Sequence, residues 1–143
     1  MTLSELIPVL QTAIGPVVLI SGVGLLILSL TNRLGRIIDR GRSLAGELLE
    51  AHESKHPGIK QQLVILSRRA RLIKSSIIFS VICALLAAVL VITLFIFATM
   101  DIEAAWFLSI LFGGAMASLI ISLVCFLQEL NLALIAFNLD IKV

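Results

Sequence analysis

The run His52-Glu53-Ser54-Lys55-His56 matches the H-E-x-x-H pattern letter for letter. On a helix, that spacing puts two imidazoles on one face as zinc ligands, with the glutamate as general base. The surroundings argue for a turn instead. Pro57 follows His56 directly and biases it away from helical geometry. A hairpin tip cannot exclude water or preorganise a metal, and only Glu50 stands near enough to propose as a third ligand. We read the segment as a solvated turn. The chain also lacks a nucleophile–base pair and a phosphate loop, so no enzyme activity, metal or cofactor is expected. Cys83 and Cys125 lie within apolar stretches and read as small packing residues.

Arginine is the second group with chemistry to offer. Ten of the eleven Lys and Arg residues fall between Asn32 and Ser75, where four acids leave a net +6; the rest of the chain carries −4. Arg33, Arg36 and Arg40 project within about 60° of one another on a helix, and Arg68 and Arg71 point away from the apolar seam of their segment. These five are candidates for lining the mouth of a pore or for binding anionic lipid head groups. Nucleic acid is not an expected partner, because the block would lie against a membrane and has no interleaved aromatics. Glu129 is the one acid near the inner end of an apolar span. A carboxylate there is a candidate for an ion pair, with Arg33 or Lys74, or for gating.

The elements that must position these groups are long and apolar. Mean hydropathy is +1.13, and 59% of residues are hydrophobic against 14% charged. Leu6–Asn32, Ser76–Met100 and Ala104–Gln128 contain no Asp, Glu, Lys or Arg. A helix needs about 20 residues to cross a bilayer core, so each stretch can span. We place the spans at about 13–32, 76–100 and 104–127 of a single membrane domain, 1–143. The first is no cleavable signal, since positive charge follows it rather than precedes it. The positive-inside rule puts 33–75 and the tail 128–143 in the cytoplasm, with the N-terminus outside.

Thr2-Leu3-Ser4-Glu5 opens the first helix, and Gly15-Pro16 predicts a kink, or a short helix before a longer one. Leu34, Ile37, Gly41, Leu44 and Leu48 then form an a/d seam, repeated after the turn by Ile59, Leu63, Leu66, Ala70, Ile73 and Ile77. Facing seams across a turn at 54–58 predict an antiparallel, coiled-coil-like hairpin. Asp101-Ile102-Glu103 is the outer turn. In the tail, Leu130, Leu134, Phe137 and Ile141 make a stripe that could dock on the hairpin.

Two faces of small residues suggest close helix approach. Gly15, Gly22 and Ser29 recur every seven residues in the first span, on the face that leads to Arg33 and Arg36. Gly114, Ser118 and Ser122 recur every four in the third. Three helices have little surface to cover both, so a homo-oligomer is expected.

The run Asn32-Arg33-Leu34-Gly35-Arg36-Ile37-Ile38-Asp39-Arg40-Gly41-Arg42 resembles the signature of an uncharacterised bacterial membrane family, a domain of unknown function. Gly15-Pro16, Leu19-Ile20-Ser21, Arg68-Arg69-Ala70-Arg71-Leu72-Ile73 and Phe126-Leu127-Gln128-Glu129-Leu130 fit the same pattern. The resemblance covers most of the chain and implies a bacterial membrane protein of this size, with no activity attached. From the residues themselves we expect an all-α, three-span protein of the bacterial inner membrane. Its leading function is a homo-oligomeric ion channel lined by the first helix. The alternative is a non-conducting anchor or scaffold whose hairpin binds a protein partner or anionic lipid.

Overall fold

The computed structural model describes residues 2–142, with side chains through Asn138. Those residues form three helices, α1 (Leu3–Glu50), α2 (His56–Met100) and α3 (Ala105–Lys142), with a short 3-10 turn at Glu53–Lys55. All three are long and apolar enough to cross a membrane. Only 11–17% of the most apolar stretch of each is buried, so most of that surface faces outward. A water-soluble bundle would hide it.

Helix α1 starts where its capping residues dictate. The Thr2 carbonyl accepts from the backbone of Glu5 and Leu6, and the Glu5 carboxylate reaches back to the Thr2 N–H at 3.2 Å. That is half of a capping box. No short helix is set off before Gly15-Pro16: α1 runs through both Pro8 and Pro16. Pro16 removes one backbone bond to Thr12, but ending the helix there would leave several more groups unpaired. The Thr12 hydroxyl donates to the Pro8 carbonyl (2.9 Å) and the Ser21 hydroxyl to that of Val17 (3.3 Å).

The hairpin turn falls earlier than its composition suggested. α1 ends at Glu50, and Pro57-Gly58 lie in the first turn of α2. A proline there loses no bond, because the first N–H groups of a helix have no partner in any case. The outer turn stands as expected. Asp101 takes a left-handed conformation (φ 56°) and the Ile102 N–H bonds back to the Phe97 carbonyl at 2.9 Å, closing α2 with a Schellman-type cap.

Contacts gather into two compact units, Met1–Leu28 with Ile78–Ile121 and Ser29–Ile77 with Ser122–Val143. In the first, Val23, Cys83 and Ala115 are buried together, with Leu19, Ile27, Ala84, Leu86 and Leu119 packed around them. In the second, Leu30, Ile37, Leu44, Leu66 and Ile73 are buried, so both hairpin seams form. The face that α3 buries here is not the expected stripe. Leu134 and Phe137 are exposed, Leu130 is half-buried, and Ile141 lies outside the residues whose side chains are described. Glu129 takes the inner position instead, and Ala136 lines a cavity with Arg40, Leu44 and Leu66.

Candidate functional site

The second unit is organised around one carboxylate. Buried positions on its helices follow a 3-4 repeat: Leu30 and Ile37 on α1; Leu66, Ile73 and Ser76 on α2; Ser122 and Glu129 on α3. Continuing that repeat from Leu30 reaches Arg33, and from Leu66 it reaches Arg69. Both arginines thus stand at seam positions, where their side chains must point inward.

They meet at Glu129, whose side chain is 0% exposed against 29% for Arg33 and 18% for Arg69. Arg33 donates through Nε to Oε2 (2.5 Å) and through Nη2 to Oε1 (3.2 Å), a bidentate fork. Arg69 donates through Nε to Oε1 at 2.9 Å. The Arg33 guanidinium also lies 5.8 Å from the centre of the Phe126 ring, within cation–π range. A carboxylate so deeply buried is tolerated only when its acceptor sites are filled by charged donors. Here two guanidiniums fill them.

Seven residues from Arg69 and Glu129 along the same repeat, Ser76 and Ser122 are fully buried and exchange reciprocal bonds. Each hydroxyl donates to the other residue's carbonyl, at 2.8 and 2.7 Å, and the two hydroxyl oxygens are 2.9 Å apart. Only small side chains let two backbones approach this closely.

Of the expected site residues, Arg33 and Glu129 are brought together as an ion pair. Lys74, the alternative partner, is exposed, and Arg69 takes its place. Reading the return seam through Ala70 hid Arg69; the same repeat counted back from Ile73 and Ser76 lands on it. Arg36 and Arg40 are exposed and line a cavity of about 290 Å³ with Arg33, Ile37, Leu66 and Arg69. Arg68 and Arg71, also exposed, line a different one with Leu72, Gln128 and Leu132. Gly114 is half-buried and Ser118 and Ser122 are buried, whereas Gly15, Gly22 and Ser29 are all exposed.

The H-E-x-x-H residues are not on one helical turn. His52 is extended (φ −63°, ψ 152°) and Glu53 belongs to the 3-10 turn. His56 itself is helical (φ −56°, ψ −44°), contrary to the expectation from Pro57, because the proline begins α2 rather than ending a helix. Its Nε2 donates to the Ala51 carbonyl at 3.0 Å and closes the turn.

A family model described as a protein of unknown function (DUF2721) matches residues 13–139. The chain belongs to the DUF2721 family. That match takes in Arg33, Arg69 and Glu129, so the ion cluster lies within the DUF2721 region. Comparison with curated proteins and with solved structures returns no match.

Proposed function

We propose that this chain is an integral protein of the bacterial inner membrane, crossing it three times, whose copies assemble through α1 into an ion-conducting pore. In this reading the N-terminus lies outside and the hairpin and C-terminus lie in the cytoplasm, which the concentration of arginine and lysine in 33–75 supports. One observation carries the reading: the small-residue face of α1 is open. A Cβ added at Gly15 or Gly22 would meet nothing within 4 Å, and Ser29 on the same face is exposed. In lipid such a face gains nothing from burial as apolar surface, but it permits close approach by another helix. Three helices enclose no path of their own, whereas a ring of copies does.

The paired Arg33 is a poor candidate for the pore mouth, since its side chain is turned inward and held by Glu129. Arg36 and Arg40, exposed on the next turns of α1, take that role. They would favour anions at the cytoplasmic entrance. The test is the native mass in nanodiscs, then bilayer recordings. We expect a ring of four or more chains, and a reversal potential that moves toward cations in the double variant Arg36→Gln, Arg40→Gln. A monomer or dimer would sink the pore.

A second reading has its own support. Leu49 is 89% exposed near the hairpin tip and Val64 is also exposed, which leaves apolar side chains for a partner to cover. Here the protein is an anchor whose hairpin holds a protein partner. It predicts no flux, and crosslinks concentrated between Glu47 and Lys60.

A further inference from the structure

We propose that the cavity lined by Arg33, Arg36, Arg40 and Arg69 is a binding site for a phosphate group. The inference deepens the membrane reading above, on which its lipid arm rests. Four guanidiniums line this cavity of about 290 Å³. Among the described residues, one carboxylate, that of Glu129, pairs with any of them. Four positive charges against one negative leave an excess of +3.

Glu129 consumes little of what these arginines can donate. Its bonds take Nε and Nη2 of Arg33 and Nε of Arg69, while each guanidinium carries five N–H donors. The carboxylate therefore acts as a positioning group. It holds two guanidiniums on different helices at a fixed separation and leaves most of their donors for another acceptor. Arg36 and Arg40 stand one helical turn apart on α1, with no ion pair among the described residues. Buried Ile37 and Leu66 complete the lining on its inner side.

The ligand chemistry follows from the donors. Guanidinium forks match the paired oxygens of a phosphate, which also brings the negative charge that the cluster lacks. Two sources can supply it: the phosphodiester of an anionic lipid, or phosphate free in the cytosol.

Native mass spectrometry of the full chain, released from detergent, separates them. Phosphatidylglycerol and phosphatidylcholine are offered at equal mole fraction; inorganic phosphate is added in a parallel thermal-shift series. With a lipid source, phosphatidylglycerol is retained over phosphatidylcholine. The double variant Arg36→Gln, Arg40→Gln then loses about tenfold or more of that binding, the scale of one charged hydrogen bond. The charge-matched control Lys55→Gln, Lys60→Gln keeps it. With a free-phosphate source, inorganic phosphate alone raises the melting midpoint, again only while Arg36 and Arg40 are present. Equal loss in both double variants, or no binding of either probe by the wild type, overturns the site. Both arginines are exposed, so the variant folds, and the single change Arg40→Gln gives a milder check. The same spectra count the chains, so a monomer would refute the pore without obscuring the outcome for the cavity.

Discussion

The small-residue faces of α1 and α3 look alike in sequence and have opposite fates in the fold. On α3, a Cβ added at Gly114 would lie 3.4 Å from the Leu86 side chain, and Ser118 and Ser122 are buried. On α1, Gly15, Gly22 and Ser29 are exposed. The reason is what else each helix offers. α1 also carries Val23, Leu30, Ile37 and Leu44 at intervals of seven, and these take its inner positions. In α3 the small residues are the inner seam, because Ser122 exchanges hydrogen bonds with Ser76 and Glu129 binds two arginines seven residues on. Small residues mark where helices can come close. Polar bonds select which of those places is used.

Removing the polar anchor of the closed face should have the largest effect. Glu129→Gln keeps the shape of the side chain but leaves Arg33 and Arg69 facing each other without a countercharge. Breaking a buried pair from one side costs about 3–5 kcal/mol. The variant should melt far below the wild type in circular dichroism of the detergent-solubilised protein. An unchanged midpoint would mean that α3 is held by its apolar and serine contacts alone.

The next comparison sets the two faces directly against each other. Ser122→Leu forces a large side chain into a site where helix backbones nearly touch, and overpacking of this kind costs about 1–3 kcal/mol. Gly22→Leu adds the same side chain to an open face and should leave the midpoint in place. It should instead lower the number of chains in the native mass. Should Gly22→Leu destabilise the fold and spare the assembly, the α1 face would be ordinary packing surface.

How far the sequence could be read follows the same division. The three long helices and the hairpin seams through Ile37, Leu44, Leu66 and Ile73 were legible as spacing, and the place of Glu129 at the end of its span named Arg33 as one of two partners. The misreadings share a physical cause. Leu134 and Phe137 form an apolar stripe, yet they face outward while Glu129 and Ala136 face in. Hydrophobic periodicity shows which face of α3 could be buried, but the bonds from Arg33 and Arg69 to Glu129 decide which face is. Arg69 was missed for a related reason, because a charged residue was not expected on a seam. Pro16 and Pro57 show a different limit: proline's effect depends on its place in a helix, and composition does not reveal that place.

The smallest effect concerns the turn between α2 and α3, which touches neither face and sets the floor against which the others are measured. Asp101 is the one non-glycine residue with positive φ among those described, at 56°. A side chain in that conformation costs up to about 1–2 kcal/mol, less for Asp than for most. Its negative charge also sits at the C-terminal end of a helix, where the macrodipole disfavours it. Asp101→Asn removes the charge and keeps a side chain that tolerates the conformation; Asp101→Gly removes both penalties. Each should raise the melting midpoint, with glycine ahead because it alone also removes the Cβ penalty of the left-handed conformation. Equal gains would assign the whole penalty to charge. A loss on changing to glycine would mean that the aspartate side chain makes a contact worth more than the backbone conformation costs, and the Schellman bond from Ile102 to Phe97 would then need that contact to hold it.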